Sequence, residues 1–151
     1  MLNKLKTILF AIALLAAPLS AQKLQVGSCE LKDGGIYTGE LLGGKANGKG
    51  RAVYENGDTY EGEFVKGFRQ GQGTFTAADG SRYEGSWMKN ERHGKGTFYA
   101  VNNNRYVGLW YRNRKEGHGV MYYYNGDVYD GDWKEDKREG KGTYTFKSGA
   151  L

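Results

Sequence analysis

Apolar and polar positions alternate along most of this chain, and the alternation returns on a fixed spacing. In Thr59-Tyr60-Glu61-Gly62-Glu63-Phe64 an aromatic residue or glycine fills every second position, with polar residues between. Gly71-Gln72-Gly73-Thr74-Phe75 alternates in the same way. A period of two marks a half-buried strand, because successive side chains leave opposite faces of a sheet. Tyr60, Gly62 and Phe64 are thus expected on an inner face and Glu61 and Glu63 on an outer one. Asn56-Gly57, Asp79-Gly80 and Asn125-Gly126 separate such runs and read as tight turns with φ > 0. Lys66-Gly67-Phe68-Arg69-Gln70 and its counterparts read as a longer loop at the opposite end. Each unit is then a β-hairpin, and hairpins joined end to end make one long antiparallel, twisted meander.

The spacing is 23 residues. Tyr37-Thr38-Gly39, Tyr60-Glu61-Gly62, Tyr83-Glu84-Gly85, Tyr106-Val107-Gly108 and Tyr129-Asp130-Gly131 recur without insertion or deletion. Two places after each of these glycines stands Leu41, Phe64, Trp87, Trp110 or Trp133. Eleven residues after each tyrosine a Gly-x-Gly begins, at Gly48, Gly71, Gly94, Gly117 and Gly140. A turn glycine follows at Gly57, Gly80, Gly126 and Gly149, with Asn103 in its place once. On this register Gly27 aligns with Gly50 and Gly73, and Cys29 falls on an inward position shared with Ala52 and Phe75. The array therefore begins before its first tyrosine, with about five repeats and a half-unit at each end, and an open strand edge is a route to self-association.

Composition narrows the class further. Glycine (25 of 151 residues) far exceeds the usual share, yet collagen's three-residue period and abundant proline are missing. The 14% aromatic content is too high for a disordered linker, and so many glycines do not suit a helical bundle. The first residues stand apart. A basic start (Lys4, Lys6), an apolar run from Ile8 to Leu19 and a small-residue exit at Ser20-Ala21 have the layout of a secretory signal peptide. The expected division is a leader over 1–21, cleaved after Ala21, and a repeat array over 22–151, with the mature chain periplasmic, envelope-associated or secreted. Removing Lys4 and Lys6 leaves 20 basic and 17 acidic residues, a net charge of +3 that is too weak to argue for nucleic acid.

Tyr83-Glu84-Gly85-Ser86-Trp87, followed by Gly94-Lys95-Gly96-Thr97-Phe98, resembles the MORN (membrane occupation and recognition nexus) repeat, a pattern close to Y-E-G-x-W/F, a variable loop and G-x-G-T-Y/F. Five phased copies make the resemblance specific, and it spans nearly all of the chain after the leader. It implies an elongated single-sheet solenoid of hairpins that serves as a scaffold, as a protein-binding strip or near membranes. Leu41, Ala52, Met121 and Asn103 depart mildly from the pattern. The resemblance also raises a rival, the repeat segment of a larger enzyme such as a phosphatidylinositol-phosphate kinase, but no residues remain here for a catalytic domain.

Chemical motifs mostly dissolve against the repeat. His93 aligns with Asn47, Gln70, Glu116 and Glu139, and His118 with Lys49, Gln72, Lys95 and Lys141, so neither stands out as a catalyst or metal ligand. Gly48-Lys49-Gly50 lacks the Ser/Thr and the following helix of a phosphate loop. Asp127, Asp130, Asp132, Glu135 and Asp136 form the densest acidic run and read as a solvated face. No catalytic residue, cofactor or metal is expected. Two surface features remain. Basic residues of the longer loops (Lys66/Arg69, Lys89/Arg92, Arg112/Arg114/Lys115, Lys134/Lys137/Arg138) form a cationic ridge suited to anionic lipid or glycan. Tyr111 with Tyr122-Tyr123-Tyr124 adds aromatic surface to the fourth unit beyond the needs of the repeat. The partner-binding candidates are accordingly Tyr111, Tyr122, Tyr124, Arg112, Arg114 and Lys115, with a protein as the leading partner class.

Overall fold

The computed structural model describes residues 23–148; the expected leader and the turn glycine Gly149 lie outside the described residues. Eleven strands follow one another in chain order: β1 (Gln25–Glu30), β2 (Ile36–Leu42), β3 (Lys45–Val53), β4 (Thr59–Val65), β5 (Phe68–Thr76), β6 (Arg82–Met88), β7 (Glu91–Tyr99), β8 (Arg105–Tyr111), β9 (Arg114–Tyr122), β10 (Val128–Lys134) and β11 (Lys137–Thr145). Each pairs antiparallel with the next, giving a single unclosed sheet in the order β1 to β11. This is the expected meander. β1 pairs with β2 through Gly27↔Gly39 and Cys29↔Tyr37, so the array does begin half a unit before its first tyrosine.

The two ends of the sheet differ from expectation in their turns. The connections at Gly43-Gly44, Lys66-Gly67, Lys89-Asn90, Arg112-Asn113 and Glu135-Asp136 are only two residues long, and both residues of each have positive φ. That geometry matches the right-handed twist of the flanking strands. The predicted longer loop at Lys66–Gln70 is therefore wrong, because Phe68, Arg69 and Gln70 already belong to β5. Bonds from the neighbouring unit hold non-glycine residues in this left-handed conformation. The Asn90 N–H donates to the Arg69 carbonyl at 3.0 Å, and the Asn90 carboxamide oxygen accepts the Arg69 N–H at 2.8 Å. Asn113 with Arg92, and Asp136 with Lys115, repeat this reciprocal clip.

The longer connections lie at the other end. Tyr54 and Asp58 close a three-residue loop in which only Gly57 has positive φ (90°). Asn56 does not take the second left-handed position; its carboxamide oxygen accepts the Asp58 N–H at 3.0 Å, as Asn125 does for Asp127 and Asp79 for Ser81. Asn103 occupies the glycine position with φ 67°. A side chain there is strained, so Asn103→Gly is expected to stabilise the fold by about 0.5–1 kcal/mol. A urea midpoint that fails to rise contradicts this.

The core lies on one face. Tyr37, Tyr60, Tyr83, Tyr106 and Tyr129 are buried, as are Leu41, Phe64, Trp87, Trp110 and Trp133. Edge-to-face contacts run through them without interruption: Tyr60–Trp87, Tyr83–Trp87, Tyr83–Trp110, Tyr106–Trp110, Tyr106–Trp133 and Tyr129–Trp133 all have centroids 5.2–5.4 Å apart. Each such pair contributes about 0.5–1.5 kcal/mol beyond its area. The glycines are the floor beneath the rings. Gly39, Gly62, Gly85, Gly108 and Gly131 lie opposite Gly50, Gly73, Gly96, Gly119 and Gly142, and each tyrosine ring covers the second glycine of its pair. The tyrosine hydroxyls donate to backbone carbonyls three residues on, Tyr83 to Ser86 and Tyr106 to Leu109 at 2.9 Å. Trp87, Trp110 and Trp133 donate their indole N–H to Gly73, Gly96 and Gly119. A ring set this deep has no unpaired polar atom left behind, which is what allows tyrosine to serve as core.

Candidate functional site

The rings fill most of the aromatic face, which keeps clefts of about 540 Å³ beside Asp33, Tyr54 and Arg69 and about 280 Å³ between Arg69 and Arg92; the remaining chemistry lies at the edges and on the opposite, polar face. The cationic ridge proves thinner than expected. Arg69 sits 4.9 Å from the Trp87 ring, Arg92 4.4 Å from Trp110, Lys115 5.0 Å from Trp133 and Arg138 5.3 Å from Tyr129. These four occupy one register position, filled by buried Ala46 in the first unit. Arg69, Arg92 and Lys115 roof the rings half-buried, while Arg138 lies over its ring but stays exposed; burial holds the Arg92 and Lys115 pKa values below their usual ranges. Lys66, Lys89 and Arg112 remain in the exposed turns, with Arg114, Lys134 and Lys137 beside them. Arg114 pairs with Glu135 and Lys134 with Glu139, both at the surface.

The aromatic candidates of the fourth unit separate. Tyr122 lies on the polar face opposite Arg105, Tyr123 packs toward the core against Tyr144, and Tyr124 is exposed at the turn. Tyr111 stands at the far end of β8, roughly 20 Å of strand from Arg105, against the His93 ring at 5.2 Å. Tyr111 and Tyr122 therefore do not form one groove. Arg112 stacks near Tyr111. The acidic run is also dispersed. Asp127 accepts the Lys147 N–H and the Tyr144 hydroxyl, Asp132 accepts the Lys141 N–H, Asp136 clips Lys115, and Asp130 pairs with His118 at 3.1 Å. Backbone bonding first, with these hydroxyl and amide bonds, holds the Asp127 carboxyl below its usual range. Among the described residues no three such side chains converge on a cation site.

The polar face is built in three rows that cross the strands. In each hairpin the first strand contributes one residue to each row, and its partner another. A bulge interrupts the third row. There one residue (Glu40, Glu63, Ser86, Leu109 or Asp132) faces a three-residue stretch whose central glycine has positive φ, as at Gly71 (76°). The bulge leaves a backbone N–H pointing back at that single residue. Glu40 accepts it from Lys49 at 2.6 Å, Glu63 from Gln72 at 2.5 Å and Asp132 from Lys141 at 3.1 Å. Over β2–β6 the face is a trough of about 1100 Å³ lined by threonines, Glu61, Glu84 and bare glycine backbone.

Over β7–β9 the chemistry changes. The middle row runs Thr97–Val107–Val120, where the other units place Thr38, Glu61, Glu84 or Asp130 on the first strand and Arg51, Thr74 or Thr143 on the second. In the third row Leu109 takes the place of the capping carboxylate. Val107 and Leu109 are 40% and 39% exposed and open on a groove of about 440 Å³ floored by Gly85, Gly96 and Gly108. The outer row alternates Arg82–Tyr99–Arg105–Tyr122, with each guanidinium 4.4 Å from the following tyrosine ring. Sequence reasoning missed Val107, Leu109 and Val120. The signal was available in the register itself: three apolar residues at positions that are polar in the other units.

Among the comparisons with known proteins, one identifies the repeat. A family model described as MORN repeat matches residues 37–59, 60–82, 83–105, 106–128 and 129–151. No curated protein matches the chain. Among solved structures, the chain is similar to the SAS-4 (dCPAP) TCP domain of Drosophila melanogaster, solved in complex with a proline-rich motif of Ana2 (dSTIL). That likeness has 13% identity and a TM-score of 0.37, covering 99% of this chain and 95% of the other, and it is too loose to carry an argument.

Proposed function

The chain belongs to the MORN repeat family, and from that premise we propose that it is a non-catalytic interaction and scaffold module that holds a protein partner along its polar face. One observation carries the reading. The aromatic face is mostly filled by its own rings and roofed by its own cations, with only smaller clefts left, while the opposite face is an open trough of about 1100 Å³. Such a division suits extended surface contact and leaves few side chains to assemble a reaction. The leader-like segment Met1–Ala21 supports work in the cell envelope or outside the cell. An anionic lipid or glycan surface is the second reading, supported by Lys66, Lys89 and Arg112 in the exposed turns of one edge.

The test pairs cell fractionation of the full-length chain with crosslinking of the envelope fraction and flotation on anionic and neutral vesicles. Envelope or extracellular recovery with a discrete crosslinked protein, and no flotation, is the expected result. Salt-sensitive flotation on anionic vesicles without a protein crosslink shifts the reading to the edge cations. Retention of the full-length chain in the cytoplasm overturns the location.

A further inference from the structure

Stability alone does not account for the fourth unit. At the bulge of β8 and β9 a carboxylate in place of Leu109 has a ready partner, the His118 backbone N–H, equivalent to the Lys49, Gln72 and Lys141 donors that Glu40, Glu63 and Asp132 satisfy. Leu109 forgoes that bond and exposes apolar surface beside Val107. A position that breaks the local rule twice, without gaining burial, points to use by a partner.

We propose that this groove, which reaches from β6 to β9, is a docking site for a short peptide segment of a partner protein, bearing one large apolar side chain and a nearby carboxylate. The proposal rests on the interaction-module reading and gives it a location. The apolar side chain enters between Val107 and Leu109, over the glycine floor. The carboxylate meets Arg105, which lies on the same strand two residues from Val107, about 7 Å away along it. The Arg105 guanidinium carbon lies 4.4 Å from the centre of the Tyr122 ring, which leaves its N–H groups to fork a carboxylate. Among the described residues neither Arg105 nor Lys95, at the other end of the groove, forms an ion pair, whereas Arg82 is already paired with Glu84. Two unpaired cations bracketing an apolar centre are complementary to an apolar anchor flanked by acid. Patch size argues for a short segment. Four strands by five residues span about 14 by 14 Å, far below the roughly 800 Å² that each partner of a standard protein interface buries. Glu84 and Asp130 on the same face disfavour an anionic membrane.

The experiment selects displayed random peptides against the full-length chain and measures the enriched peptides by fluorescence anisotropy. A shared pattern of one large apolar residue with Asp or Glu within about two positions is expected. Leu109→Glu is expected to weaken these peptides at least tenfold while melting no lower than wild type, since it supplies the carboxylate that Glu40, Glu63 and Asp132 provide in three other units. Glu63→Leu, at the equivalent place in the second unit, is expected to leave affinity unchanged. Arg105→Glu is expected to reverse the charge preference of the selected peptides. Val107→Thr, which copies Thr38, replaces Leu109→Glu if the latter unfolds. Enriched peptides lacking the pattern, an affinity indifferent to Leu109→Glu, or a concentration-dependent dimer dissolved by Leu109→Glu each overturns the proposal. Partner crosslinks that survive Leu109→Glu remove this site alone; a wild-type chain with no crosslinked partner removes the broader reading.

Discussion

Gly119→Ala is expected to destabilise the sheet by about 3 kcal/mol or more, whereas Gly27→Ala, at the equivalent position four units earlier, is expected to change stability by under about 1 kcal/mol. Neither glycine has a left-handed backbone, so alanine's conformational preferences do not separate them. What separates them is the ring above. A Cβ on Gly119 meets Tyr106 ring carbons Cε2 and Cζ at 2.5 Å, and the ring has nowhere to move because Trp110 and Trp133 pack edge-on against it at 5.2 and 5.3 Å. A Cβ on Gly27 meets only the Leu41 Cδ1 at 3.0 Å, the free end of a side chain that can turn aside. Urea titrations of both variants provide the check. Equal losses at the two positions mean that glycine serves the strand backbone in general, and the ring-over-glycine account of the repeat fails.

That contrast also marks how far the sequence is readable. Period-two alternation and the 23-residue phase were enough to place Tyr106 inward and Val107 outward, because parity sends alternate residues to opposite faces; the pairing of Gly108 with Gly119 depends on a two-residue turn and a bulge that the spacing does not show. The turns were misread for a physical reason. Asn-Gly has the strongest intrinsic preference for a two-residue turn, but Asn56 spends its carboxamide on Asp58, while the two-residue turns fall at Lys89-Asn90 and Arg112-Asn113, held by clips to Arg69 and Arg92 in the preceding unit. Such clips join residues 21 positions apart and are invisible to local propensity. The roofing cations were misassigned for a similar reason: spacing shows that Arg92 stands near the turn, not that its stem lies across Trp110. Val107 and Leu109 were readable in principle. They are apolar where the register asks for polar residues, and a strand-by-strand comparison of the outward positions exposes them.

Raising the pH is expected to unfold the whole array cooperatively between about pH 10 and 12, with tyrosinate absorbance and loss of β-sheet dichroism appearing together. Burial raises the pKa values of Tyr37, Tyr54 and Tyr83 from 10.0 to about 12. It pushes Tyr60 and Tyr106 further still. The sign follows from the direction of the shift. Each hydroxyl keeps its proton in the fold above the pH at which an unfolded tyrosine ionises, so its contribution is intact below pH 10 and disappears as pH rises toward the folded value. Each such tyrosine removes at most about 1.4 kcal/mol per pH unit in that window. Five acting together approach about 7 kcal/mol per unit as an upper limit, comparable with the roughly 5–15 kcal/mol that holds a typical domain. Ionisation also abolishes the donors that tie Tyr60 to Glu63 and Tyr106 to Leu109, because a phenolate has no proton to give. Since Tyr60, Tyr83 and Tyr106 are linked through Trp87 and Trp110, one ionised ring loosens its neighbours and lowers the cost of the next. Ionisation of Tyr60, Tyr83 and Tyr106 one at a time, with the sheet signal unchanged, contradicts the continuous ladder and with it the view that these rings are one structural unit.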